Sequence, residues 1–213
     1  MSDKRVIIIS GGDWADEYLD HIRPGDLLIG ADRGALMLIE HGLRPDIAVG
    51  DFDSVSDLDA ERIRDLSGRI DSCDPVDKNY TDTDLAFELA LNERPSEIVL
   101  LGATGGRMDH TLANVQLLIR ALHHQVACSI RDRNNYIQLT GSRLVVEDLG
   151  FTYVSLIPAT MEVSGVTLEG FAYPLENATL RQGQSLAVSN QLAAPSGTVS
   201  IESGLLFVIQ SRD

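Results

Sequence analysis

The segment Val49-Gly50-Asp51-Phe52-Asp53-Ser54-Val55-Ser56-Asp57 decides how this chain is read. The apolar run Ile47-Ala48-Val49 has the character of a short buried strand, stops at a glycine, and is followed by Asp51, Asp53 and Asp57. In an extended segment, residues i and i+2 point the same way, roughly 7 Å apart. Two carboxylates so placed repel unless something positive lies between them. A solvated turn with a helix cap would use the same residue types, because Asp and Ser favour turns and N-caps. The surrounding chain separates the two readings.

Strand-like runs fall at 6–10, 26–30, 47–50, 69–71, 97–101 and 126–131, with amphipathic stretches near 14–21, 34–41, 58–66, 83–92 and 109–122. In the last stretch Leu112, Val115, Leu118, Ile119 and Leu122 recur at helical spacing. Strands alternating with helices imply βαβ units and a mainly parallel sheet covered on both faces. After about Asn135 the pattern becomes short β-like runs at 143–147, 151–157, 162–167, 185–188, 198–201 and 205–209, separated by turns such as APSG and ESG. The expectation is an α/β chain of two domains. Residues 1–135 form a mainly parallel three-layer α/β/α domain, and 136–213 a small antiparallel β-sandwich. So short a segment has a marginal core, and the sandwich is expected to lean on the first domain or on a second subunit.

The 213 residues carry a formal charge of −15 and are 44% hydrophobic. That acidity disfavours nucleic acid and anionic membranes, which are bound by Lys and Arg neutralising phosphates. A phosphorylated ligand would need a cation between itself and the chain. No run reaches the roughly 18 apolar residues of a membrane-spanning helix. The N-terminal MSDKRVIIISGGDW lacks the cleavage pattern of a secretory signal. Cys73 and Cys128 stand far apart without metal-binding spacing, as expected of reduced cysteines in a cytoplasmic protein.

Polar residues collect after the strands: GGDW, ADRG, GDFDS, DPVDKNYTDTD and GATGGRMDH, whereas the helix-to-strand connections RPG, GLRP, SG and ERPS are plainer. All five strand-to-helix connections belong on the carboxyl edge of the sheet, where open α/β sheets bind ligands. Asp82 and Asp84 repeat the i, i+2 spacing, although Thr81 or Asp82 would also make a good N-cap and acids suit a first helical turn. Asp82 opposite Asp51 and Asp53 would form an oxygen-only cluster suited to Mg²⁺ beside phosphate oxygens. Zinc is not expected, with isolated cysteines and His110 the only histidine in these loops. GATGGRMDH places three glycines and a threonine at a helix start. Backbone N–H groups there can hold an anion, and Arg107 can add a bidentate phosphate contact. The plain alternative is a flexible glycine loop with Asp109 as N-cap. The spacing is neither a P-loop nor a GxGxxG fingerprint.

In order, GADRGA, RPDIAVGDFDS, DKNYTDTDLAFELAL and LGATGGRMDHTLANVQLL resemble the motif set of the thiamine pyrophosphokinase (thiamine diphosphokinase) family. SGVTLEGFAYPLENATL and AVSN resemble that family's β domain, and the likeness runs from about residue 5 to residue 209. The resemblance implies transfer of the pyrophosphoryl group of ATP to the hydroxyl of thiamine, giving thiamine diphosphate and AMP, with Mg²⁺. It implies an ATP-binding catalytic domain over 1–135, a thiamine-binding sandwich over 136–213, and a homodimer with active sites at the subunit interface. Asp51, Asp53 and Asp82 would be the catalytic, metal-binding carboxylates. Asp32, Arg33, Lys78, Asn79 and Thr81, with Thr104, Gly105, Gly106, Arg107, Asp109 and His110, would line ATP. Ser189 and Asn190 would contact thiamine.

One position departs from the family pattern, usually Lys-Asp-x-Thr-Asp, where this chain has Lys78-Asn79-Tyr80-Thr81-Asp82. Asn79 can offer a carbonyl oxygen but cannot act as a base; Asp77 stands two residues earlier. Two other functions fit these residues: a same-fold pyrophosphokinase for another heterocyclic alcohol such as a hydroxymethyl pterin, and a non-catalytic nucleotide or thiamine sensor. A substrate panel separates the first, and formation of AMP the second.

Overall fold

Four consecutive residues, Val6 to Ile9, have no exposed surface. A strand covered on both faces has to lie inside a sheet. In the computed structural model, which describes residues 4–71 and 80–213, β1 (Arg5–Ile9) is central among six parallel strands of the first of two compact units, Met1–Arg133. The others are β2 (Leu27–Ala31), β3 (Ile47–Val49), β4 (Arg69–Asp71), β5 (Glu97–Leu101) and β6 (Ala127–Arg131), ordered β4-β3-β2-β1-β5-β6. The helices are α1 (Arg33–Glu40), α2 (Asp57–Leu66), α3 (Asp82–Asn92) and α4 (Met108–His123).

Strand alternation sorts the helices. Ile7 and Ile9 pack with Leu28, Val99 and Leu101, with Met37 and Leu38 of α1, and with Tyr18. Ser10 continues the phase of Ile8 and reaches the other face, where the Thr83 hydroxyl of α3 donates to it at 3.0 Å. Helices therefore cover both faces, giving three layers. Sheet order reverses at β1, with β2, β3 and β4 on one side and β5 and β6 on the other. Where order reverses, loops leaving neighbouring strands diverge and open a crevice.

Two expectations for this unit need correction. The stretch near 14–21 is a 3-10 helix, Asp16–His21, with no side-chain cap. In α4 the buried face is Asn114, Leu117, Leu118 and Ala121, while Leu112 is 58% exposed. The inward face is carried by Leu117, Leu118, Ala121 and an asparagine whose amide is satisfied; of the expected stripe Leu118 is buried, Val115, Ile119 and Leu122 are half-buried, and Leu112 alone is exposed.

The second unit, Asn134–Asp213, is all β. Strand β13 (Leu206–Ser211) pairs antiparallel with β7 (Asn135–Thr140) and β9 (Tyr153–Pro158). A second antiparallel sheet runs β11 (Ala178–Arg181), β10 (Glu162–Glu169), β12 (Ser196–Ser200), β8 (Arg143–Glu147). Val154, Leu156, Leu206 and Val208 of the first sheet share one core with Val146, Val163, Leu180 and Val199 of the second. This is a sandwich.

Residues 185–188, expected as a strand, form a turn in which Leu186 is 64% and Val188 45% exposed. The Ala187 carbonyl accepts Leu156 N–H at 2.9 Å, without a ladder. Conversely, β7 and β11 carry mixed polar sequences that hid them, and their pairing partners create them.

Candidate active site

The loops leaving β1 and β5 clasp one another: Ser10 N–H donates to Leu101 O and Gly12 N–H to Gly102 O, each at 2.9 Å. A Cβ on Gly12 would stand 2.4 Å from the carbonyl oxygens of Gly102 and Thr104, so the approach requires glycine. The crevice here widens into a cavity of about 740 Å³ within the first unit. Its wall includes Asp32, Arg33, Asp51, Asp53, Thr81 and Asp82. Thr104, Gly105, Gly106, Arg107 and His110 line it as well. Lys78 and Asn79, with Asp77 and Cys73, lie outside the described residues.

Asp51 and Asp53 do not owe their common direction to extended backbone. Gly50 and Phe52 have φ of +136° and +59°, so the segment is a turn. The Phe52 ring is 5% exposed and packs with Ala35, Leu36, Ala48 and Ile63. Burying such a ring contributes roughly 1.5–3 kcal/mol, enough to hold a left-handed residue that costs about 1–2 kcal/mol. With Phe52 pinned beneath, the flanking carboxylates line the cavity, and Asp51 Oδ1 accepts Asp53 N–H at 3.2 Å.

Asp32 occupies the N-cap of α1 at φ 48° without a side-chain cap bond. One of its oxygens accepts the Ser54 hydroxyl at 2.5 Å, and the other is buried without a partner. Thr81, not Asp82, caps α3 by accepting Asp84 N–H at 3.2 Å. Asp84 turns to Arg120, which also holds Glu88. Asp82 faces the cavity, and its carboxyl is pushed up to about 6, first by burial and then by the charges of Asp32, Asp51 and Asp53. Among the described residues no three carboxylate, imidazole or thiol groups converge into a formed metal site. The donors nonetheless suit a hard divalent cation: all are oxygen, one is buried and unpartnered, and crowding disfavours their joint ionisation.

Arg107 is itself the N-cap of α4, correcting the alternative that gave the cap to Asp109. Its exposed guanidinium grips Asp109, Nε to Oδ1 at 3.2 Å and Nη2 to Oδ2 at 2.5 Å. The contact holds Asp109 below the usual carboxylate range and raises Arg107. An exposed pair of this kind contributes little to stability and can be exchanged for a phosphate.

Sequence reasoning missed several residues of the wall: Ser10, Asp13, Ser54, Thr83 and Asn114. The Asn114 amide donates to Ala103 O at 2.7 Å and so ties the glycine loop to α4. A polar residue in phase with Leu117, Leu118 and Ala121 was its available signal.

Ser189 and Asn190 lie in the second unit, beside a hollow of about 100 Å³ that also touches Tyr173, Leu186 and Val188. Asn190 is 4% exposed and its amide clamps the Tyr173 backbone, accepting N–H at 3.0 Å and donating to O at 2.7 Å. Ser189 is exposed, at φ 60°, with its N–H on Ser155 Oγ at 3.0 Å.

A carboxylate-walled crevice at the switch point of a parallel sheet is the ligand-binding arrangement of the open α/β class. A family model described as thiamin pyrophosphokinase, catalytic domain, matches residues 19–130, and one described as thiamin pyrophosphokinase, vitamin B1 binding domain, matches 142–206. The chain belongs to the thiamine pyrophosphokinase family. It is 34% identical to the thiamine pyrophosphokinase of Bacillus subtilis, over 99% of this chain and 100% of that one. The crystal structure of the Bacillus subtilis protein superposes with a TM-score of 0.92 at 33% identity, covering 99% of this chain and 100% of that one. A thiamin pyrophosphokinase structure from Geobacillus thermodenitrificans gives 0.86 at 34% identity, over 98% of each chain.

Proposed function

We propose that this chain transfers the pyrophosphoryl group of ATP to the hydroxyl of thiamine, releasing AMP, with Mg²⁺ held among Asp51, Asp53 and Asp82. The observation that supports it best is the first-unit cavity, where Asp32, Asp51, Asp53 and Asp82 share a wall with the glycine loop and Arg107. When bound, Mg²⁺ would offset the charge of phosphates and carboxylates together.

The chain's own contribution is placement. Backbone N–H groups of the 102–107 loop and Arg107, released from Asp109, hold phosphate oxygens. The thiamine oxygen bonds to the β-phosphorus as the bond from that phosphorus to the oxygen leaving with AMP breaks. The hydroxyl proton passes to a carboxylate or to water. A chain at −15 accommodates the thiazolium cation.

The same reading makes the protein a cytoplasmic homodimer in which Ser189 and Asn190 of one subunit approach the Gly50-Asp51-Phe52-Asp53-Ser54 loop of the other. Exposed Tyr173, Leu186 and Val188 around the small hollow support an apolar partner surface there. Asn190 acts by setting the position of Tyr173. The decisive test supplies ATP, Mg²⁺ and thiamine and measures AMP and thiamine diphosphate together. Equal yields of the two are expected. ATP bound without AMP formed would make the chain a sensor, and turnover only with a pterin alcohol would move it to the rival substrate.

A further inference from the structure

Thr104 lies in the glycine loop, yet its hydroxyl is already committed. It donates to Asp132 Oδ2 at 2.6 Å. A carboxylate offers only lone pairs, so the proton of that bond is the threonine's. The length is that of a charge-assisted bond. Topology makes the contact: Leu101 at the end of β5 pairs with Arg131 at the end of β6, and Asp132 follows directly. With its single proton spent, the hydroxyl presents lone pairs to the cavity that it lines.

The surroundings repeat that polarity. Asp13 also lines the cavity, directly after Gly12, the residue pressed against the Thr104 carbonyl. Asp132 and Asp13 bear on one buried phenol, Tyr18, whose pKa is pushed up to about 12 chiefly by burial, with a backbone bond from Gly102 opposing and both charges adding. A phosphate oxygen at the Thr104 hydroxyl would meet its lone pairs, with Asp13 on the same cavity wall.

We infer that the Thr104 hydroxyl, oriented by Asp132, accepts a hydrogen bond from a donor on the nucleotide, a hydroxyl or amino group, and leaves phosphate to the backbone N–H groups of the loop. The inference rests on the ATP reading above. Thr104 is then a specificity residue and Asp132 its positioning residue, which the motif analysis did not single out.

Calorimetric titration of the full chain with Mg²⁺ and ATP, 2′-deoxy-ATP, 3′-deoxy-ATP or inosine triphosphate tests it, with turnover measured in parallel. Wild type should bind ATP about tenfold tighter than the analogue lacking the accepted donor. Thr104→Val should level that one ratio to within about twofold and leave inorganic tripolyphosphate binding unchanged. Thr104→Ser should retain the ratio, and Asp132→Ala, which frees the hydroxyl to rotate, should reduce it. Thr104→Ala substitutes if the valine variant does not fold.

Equal losses for all nucleotides in Thr104→Val, weakened tripolyphosphate binding, or no analogue penalised in wild type would overturn the inference. Binding of ATP without AMP production would instead remove the catalytic reading, while the ratios still decide this one.

Discussion

Asp53 flanks a buried Phe52, so its charge can be removed without disturbing what holds the turn. Asp53→Asn keeps the backbone N–H that donates to Asp51 and should fold normally, with no drop in melting temperature. Its transfer rate should fall by about a hundredfold or more, the scale of losing a group that stabilises transition-state charge. A rate within a few-fold of the parent would remove the carboxylate cluster from the mechanism. Arg107→Lys keeps the charge and loses the planar fork. About tenfold slower transfer is expected, whereas unchanged kinetics would leave Arg107 as a surface partner of Asp109 only.

Among the elements, the 3-10 helix carries a pH-sensitive stability. His21 has its pKa held below 6.5 first by burial and then by Arg131, with Arg5 and Arg23 adding and Asp20 opposing. The folded state therefore binds a proton less readily than the unfolded one, and below 6.5 the unfolded state gains protons first. Stability from this site is complete above the unfolded value and is lost as pH falls towards the folded one. Denaturation of wild type and His21→Gln, followed from pH 7 to 5, should show a shallower loss in the variant. Identical slopes would show that His21 makes no contribution. The element patterns were unevenly legible. Amphipathic stretches located α1 to α4 because their apolar faces pack on the sheet, but the buried face of α4 includes a satisfied Asn114, a hydrogen bond that hydropathy cannot register.

For the whole molecule, assembly is the prediction. Equal amounts of Asp53→Asn and of a bulky Ser189→Trp chain, mixed and allowed to exchange, should recover about a quarter of wild-type activity. Half the dimers are then mixed, and each has one intact site of two. Ser189 is chosen over Asn190 because the Asn190 amide secures Tyr173, and its replacement would damage the sandwich. A monomer in sedimentation at assay concentration, or no recovery after demonstrated exchange, would exclude a shared site.

The sequence by itself determined the two-part architecture and the edge of the sheet where the polar loops and the cavity lie. Periods of 2 and 3.6 are imposed locally by backbone geometry, and Asp and Gly are denser in the strand-to-helix connections of the first unit than in the plainer helix-to-strand ones. That Asp51, Asp53 and Asp82 would share one wall was legible for the same reason. The motif resemblance also named Asp32, Thr104 and Arg107. Tertiary structure alone decided how these residues are arranged. The reversal of strand order at β1 opened the crevice, and Phe52 turned the Gly50–Ser54 loop by being buried. The pairing of β5 with β6 brought Asp132 to Thr104, and Asp109 took the Arg107 fork. Each of these depends on which distant segments become neighbours, and a local period carries no information about that.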